Sequence, residues 1–160
     1  MSPMRRAFVL LFVIAAAPLS AKDSLGVYSD WAAFRDAEVP RCYAIAQKTG
    51  RGSEKGYASV GTWPGKGVRG QVHLRLSRPL SGNSRVRLTM GNQRFDLIAQ
   101  GQDAWAKDKA MDAAIIAAMR SASRMSVSAT ARNGRRFTDR YALEGAATAM
   151  DAALVGCASA

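Results

Sequence analysis

One histidine, two cysteines and an excess of arginine are the residues of this chain that could do chemistry. His73 stands alone. A metal site needs further nitrogen, sulfur or carboxylate ligands gathered around it. No His-x-x-x-His, Cys-x-x-Cys or Gly-x-Ser-x-Gly occurs. Ser77 lies four residues after His73, on the same face of an extended strand but too far along it for a hydrogen bond. Gly65-Lys66-Gly67 reads as a turn and lacks the phosphate-loop pattern. Asp103, Asp108 and Asp112 are scattered acids with capping or solvent roles. The inventory therefore points away from an enzyme. No catalytic set, metal site or cofactor is expected, and an enzyme acting on small anions would need a concave pocket that the sequence does not reveal.

The compartment decides how Cys42 and Cys157 are read. Arg5 and Arg6 precede an apolar run from Ala7 to Ala17, and small residues follow to Ala21. This is the pattern of a secretory signal peptide over residues 1–21. The run is too short to span about 30 Å of hydrocarbon, and no other stretch could cross a membrane, so no span is expected after its removal. An exported chain with two cysteines most simply joins them in one disulfide. Closing more than a hundred residues would be worth about 4–5 kcal/mol in the chain-entropy model. Two free buried thiols are the alternative.

Removing the leader leaves 21 basic residues against 12 acidic, a net charge of +9 on about 139 residues. That length fits a single globular domain, residues 22–160. Arginine suits bidentate contact with phosphate or carboxylate. Arg69, His73 and Arg75 are expected to point outward from one strand, with Arg85, Arg87 and Arg94 on the next hairpin and Arg78 at a turn between them. If the strands are neighbours, these seven form an anion-binding face broken mainly by Asp96. A solvated face that only aids solubility is the alternative. Nucleic acid is not expected as a partner, because aromatic rings for base stacking are not evident on this face.

The elements that would carry these residues are mostly strands. Val27–Trp31 starts a strand or a packed loop, and Trp31 and Phe34 are expected to plug one end of the core together. Arg41–Ala46 alternates with Cys42, Ala44 and Ala46 on one face, and its apolar character on both faces suits a central strand. A polar loop, Gln47–Gly56, leads to a strand at Tyr57–Trp63. Gly70, Val72, Leu74 and Leu76 then alternate with polar residues. Arg85–Met90 and Gln93–Ala99 form a hairpin about Gly91-Asn92. Pairing Met90 with Gln93 sets Leu88 opposite Phe95, Val86 opposite Leu97 and Arg87 opposite Asp96. Gly101–Asp103 reads as a turn, and Trp105 as the cover of a core edge.

Asp108 caps a helix to about Ser121, with Met111, Ala114, Ile115, Ala118, Met119 and Ala122 as its inner stripe. In the hairpin Arg124–Leu143, a two-residue Asn133-Gly134 loop would set Val127 against Arg140. A three-residue loop with a left-handed Gly134 pairs the apolar rows instead. Asp139 then falls on the apolar side, where it needs the sheet's rim or a charged partner. A last helix, about Ala146–Gly156, turns Ala146, Ala149, Met150, Ala153, Leu154 and Cys157 inward. The fold class is α+β and mostly β: an antiparallel curled sheet or β-sandwich with two short helices packed on it.

This order resembles a known family. After the export signal come Trp31 and Cys42-Tyr43, an alternating sheet, a helix and a hairpin with Asn133-Gly134. The ending, Leu143-Glu144-Gly145-Ala146-Ala147-Thr148-Ala149, is similar to a Leu-x-Gly-x-x-x-Ala ending in the invasion-associated locus B family of alphaproteobacterial exported proteins. The resemblance runs from Val27 to Cys157. This chain lacks that family's cysteine just after the tryptophan and its mid-chain cysteine pair, and adds Cys157, as in a divergent branch. The resemblance implies a periplasmic or secreted protein with a role in host-cell entry and no catalytic residue set. The expected function is binding, by a single domain expected to be a monomer, of an anionic envelope or host-surface component through the basic face. A structural or stress-related accessory that docks a protein partner is the alternative.

Overall fold

A computed structural model describes residues 22–158. The expected signal peptide lies outside the described residues. Ten strands and two helices follow one another: β1 (Asp23–Tyr28), β2 (Trp31–Asp36), β3 (Arg41–Gln47), β4 (Tyr57–Trp63), β5 (Val68–Arg75), β6 (Val86–Met90), β7 (Gln93–Gln100), β8 (Asp103–Trp105), α1 (Lys109–Ser121), β9 (Arg124–Thr130), β10 (Arg136–Ala142) and α2 (Ala146–Ala158). The strands make one antiparallel sheet in the order β1-β2-β3-β4-β5-β8-β7-β6-β9-β10. The sheet curls but does not close, and both helices cover its inner face. α2 lies on β1–β4 and α1 on β5 and β7. The result is a mostly β member of the α+β class.

Local sequence sets most of this. In the first hairpin of the far half, Met90 pairs with Gln93, Leu88 with Phe95, Val86 with Leu97 and Arg87 with Asp96, as alternation demands. In the second, Ala131 N–H donates to Arg135 O at 2.9 Å and Arg136 pairs with Thr130, leaving Arg132-Asn133-Gly134 as a three-residue loop. Gly134 has φ +79° there, the conformation that glycine adopts without steric cost. Met125 thus faces Tyr141 and Ala129 faces Phe137. Asp108 caps α1 by accepting from Met111 N–H at 2.8 Å.

Four placements differ from the sequence expectation. Trp31 is buried and donates from Nε1 to Ala142 O at 2.9 Å, whereas Phe34 sits on the outer face beside Tyr43. Both lie in β2, and in a strand an offset of three puts side chains on opposite faces. Ala114 and Leu154 are exposed, so each helix buries a narrower stripe than its periodicity suggested. Asp103–Trp105 is a strand, β8, between β5 and β7. Asp139 is buried yet has neither a rim position nor a charged partner. It accepts from Ser77 N–H at 2.8 Å and from the Ser77 hydroxyl at 2.6 Å.

Cys42 in β3 and Cys157 in α2 form a disulfide with Cα atoms 5.8 Å apart, closing a separation of 115 residues. Arg120 on α1 reaches Asp151 on α2 at 2.7 Å. A single buried cluster, which includes Trp31, Leu74, Leu88, Ile115, Tyr141 and Cys157, runs through all these elements.

Candidate functional site: a basic outer face

The outer face of the sheet is the side that no helix covers, and strand parity decides what it shows. On β6 the inward residues are Val86, Leu88 and Met90, so Arg87 and Thr89 point out. Arg87 lies opposite Asp96 on β7 and Ser128 on β9, and Thr89 lies opposite Arg94 and Ser126. On β10, Asp139 and Tyr141 turn inward, so Arg136, Thr138 and Arg140 point out. Arg136 pairs across to Thr130, Thr138 to Ser128, and Ala142 to Arg124. The strands β7-β6-β9-β10 therefore display Arg85, Arg87, Arg94, Arg124, Arg136 and Arg140 with hydroxyl side chains between them.

Asn83, Arg85, Arg87, Thr89, Ser128, Thr130 and Arg136 line an open hollow of about 570 Å³ on this face. Asp96 on β7 is a carboxylate that reaches its lining. Arg87 Nε donates to Asp96 Oδ1 at 2.9 Å. That bond holds the Asp96 carboxyl below the usual carboxylate range, with Arg85 adding its charge, and raises the Arg87 guanidinium in turn. Arg85 and Arg136 make no ion pair among the described residues. The arrangement offers guanidinium forks and hydroxyl donors to a phosphate, sulfate or carboxylate.

The seven residues expected to form one face are divided by the structure. Arg85, Arg87 and Arg94 stand together as described. Arg75 and His73 are on the same outer face, but β8 separates β5 from β7, and its Asp103 engages both. Arg75 Nη1 is 2.6 Å and His73 Nε2 2.9 Å from that carboxylate. Arg78 pairs with Glu54 at 3.1 Å. Arg69 is on the other side. A bulge shifts the register so that it pairs with Thr62, which in turn pairs with the inward Cys42, and Arg69 lines a cleft with Leu154, Val155 and Cys157 of α2.

Arg124, Arg136 and Arg140 were missed because β9 pairs with β6 across some 40 residues of chain, and no local signal announces that pairing. Outward aromatic rings were missed as well: Tyr43, Tyr57, Trp63 and Trp105 share the outer face of β3, β4 and β8 with His73. Asp112, expected to cap or to face solvent, accepts from Val72 N–H at 2.8 Å and pins α1 to β5. Burial raises its carboxyl above the ordinary value. Among the described residues no group of three or more His, Cys, Asp or Glu side chains could hold a metal.

A curled antiparallel sheet with two helices inside, a disulfide from β3 to the last helix and an arginine-rich outer face define a class of small mostly β proteins. Within that class, the chain belongs to the invasion associated locus B (IalB) family, whose sequence profile matches residues 33–154. Among solved structures, the crystal structure of invasion associated protein B from Bartonella henselae is similar, with a TM-score of 0.61 and 17% identity. The likeness covers 85% of this chain and 97% of that one, and at that identity it speaks for the fold. No curated protein matches the chain.

Proposed function

We propose that this is an exported, non-enzymatic binding protein whose basic outer face holds an anionic component of the cell envelope or of a host surface. The observation that carries this is the convergence of Arg85, Arg87 and Arg136 on one hollow, with Ser128 and Thr130 beside them. The hollow has cation and hydroxyl donors but no histidine, cysteine or paired acids in its lining, which suits holding an anion more than transforming it. The family's association with invasion, and the invasion-associated title of the Bartonella protein, agree with a surface role. The signal pattern of residues 1–21 supports a periplasmic or secreted location.

The test is retention of the mature, oxidised protein on envelope fractions, compared with Arg85→Glu/Arg136→Glu. Reversing two charges is expected to weaken retention at least about tenfold, and raising salt is expected to release the parent, since exposed charges are screened beyond about 10 Å at 0.1 M. Undiminished retention by the double variant would overturn the reading. Salt-insensitive retention would favour a second reading, docking of a protein partner, for which Leu154 and Val155 are 40% and 71% exposed on α2.

A further inference from the structure

The other half of the outer face has a different chemistry. A solvated sheet face is ordinarily polar, yet β3, β4, β5 and β8 carry Tyr43, Tyr57, Trp63, His73 and Trp105 there, all half-buried. They line a shallow groove of about 500 Å³, within the size range of small-molecule sites, roughly 300–1,000 Å³. No helix covers it. A cluster of rings facing water on an otherwise well-packed domain marks a contact surface.

The rings are held in place. A Cβ on Gly61 would come within 2.7 Å of the Trp63 ring, so the indole lies over Gly61, in space that only a residue without a side chain leaves free. His73 stacks on Trp105, with centroids 5.4 Å apart and planes at 26°, and Tyr57 meets His73 edge-on at 5.7 Å. The carboxylate of Asp103 fixes the imidazole at 2.9 Å. Ser59 and Gln71 supply polar groups between the rings.

At one end, the Arg41 guanidinium stands 4.9 Å from the centre of the Tyr43 ring. Its Nε is buried and has no hydrogen-bond partner, and its nearest carboxylate oxygen, on Asp36, is 3.7 Å away. The Arg41 side chain is 34% exposed at this end, so the rest of its guanidinium can offer donors to a carboxylate.

Flat, fixed rings with polar groups between them fit a ligand that is itself a ring with an apolar face and a polar rim. A pyranose has this form: its axial C–H bonds present weak positive charge to the negative face of an aromatic ring, while its hydroxyls meet the polar side chains. A nucleic-acid strand also stacks on rings, but it needs cations along its phosphates. Here the cations lining the groove, Lys22 and Arg41, both stand at its Tyr43 end, while Asp103 lies beside His73 and Trp105 and already takes Arg75, so no row of cations follows the rings.

We propose that the outer face of β3-β4-β5-β8 is a saccharide-binding groove that stacks the sugar rings of an oligosaccharide on Trp63 and Trp105 and receives a uronate carboxylate at Arg41. This site is separate from the basic hollow on β6-β9-β10 and does not depend on it.

The test is titration of the mature, oxidised protein with neutral and uronate-containing oligosaccharides of about three to six residues, read by tryptophan emission and by protein NMR shifts. At least one uronate-containing member is expected to bind. Trp63→Ala and Trp105→Ala are each expected to weaken it at least about tenfold, through loss of the stacked ring. Arg41→Gln is expected to remove the preference for uronate over the neutral counterpart. Arg85→Glu/Arg136→Glu is expected to leave sugar binding unchanged, so failure of the basic hollow and failure of the groove are distinguishable. Circular dichroism checks that each variant folds, and Trp105→Phe, which keeps a smaller ring, is expected to bind with intermediate strength. No response to any member of the panel, or binding indifferent to both alanine variants, would overturn the proposal. So would tryptophan-dependent binding of an oligothymidylate probe in place of the sugars.

Discussion

Asp139 and Tyr141 are neighbours on the inner face of β10, and trimming them should have opposite effects. The Asp139 carboxylate is 3% exposed and takes two donors from Ser77. In Asp139→Asn the amide can accept only one of them and turns its own N–H toward the other. Loss of a charge-assisted bond in the interior costs roughly 2–3 kcal/mol, to be read from the urea midpoint. The Tyr141 hydroxyl, by contrast, is buried with no hydrogen-bond partner. Tyr141→Phe removes that orphan and should leave stability unchanged or raise it by up to about 1 kcal/mol. The same variant carries a pH signature. Burial, and secondly the Asp139 charge, push the Tyr141 phenol well above its ordinary value. The folded chain thus holds this proton more tightly than the unfolded chain, whose phenol titrates near 10. Its contribution to stability is intact below about pH 10 and declines as pH rises beyond that. Denaturation at about pH 9 and pH 11 should show the parent losing more stability over that interval than Tyr141→Phe.

At the scale of elements, the entry to α2 depends on one residue without a side chain. Gly145 has φ +84°, and a Cβ there would land on the Tyr28 carbonyl at the end of β1. The glycine of the Leu-x-Gly ending is thus required by a close approach of two backbones. Gly145→Ala should cost about 3 kcal/mol or more, lowering the urea midpoint without changing the m-value. The emission of Trp31, which is held by Ala142 O just before this entry, should shift to the red. Such residues show how far the sequence was legible. Hairpin registers were readable because alternation and loop parity are local, as Leu88 against Phe95 and the left-handed Gly134 illustrate. The caps and helices were readable for the same reason. The order of strands was not, since the pairing of β6 with β9 is decided by the shape of the shared core. β8, only three residues long, carries no period. The bulge that turns Arg69 to the helix side depends on a register shift opposite Gly61 and Thr62 that alternation cannot announce. These non-local facts decide which arginines meet, so the candidate site was only half visible in the sequence.

Taken whole, the molecule keeps its core on one side of the sheet and both proposed binding surfaces on the other. The open sheet is drawn round so that its two ends touch. Thr49 N–H donates to Arg140 O at 2.7 Å, Ser77 meets Asp139, and Trp31 meets Ala142. The disulfide ties α2 to β3, and buried residues from all these elements form one cluster. A continuous core predicts a single cooperative transition. In urea, far-ultraviolet circular dichroism and tryptophan emission should give superimposable curves. Reduction should move both together to lower urea, by about 4–5 kcal/mol in the chain-entropy model. If α2 were an independent unit, Trp31 emission would change before the strand signal did. The same one-sidedness makes the outer face free to vary. Among the described residues Arg85 and Arg136 are exposed and make no ion pair, so Arg85→Glu/Arg136→Glu should unfold within about 0.5 kcal/mol per site of the parent. A fold expected to tolerate reversal of its outer charge, while the entry to α2 depends on Gly145 and the interior on Asp139, leaves the chemistry of that face free to change without loss of shape.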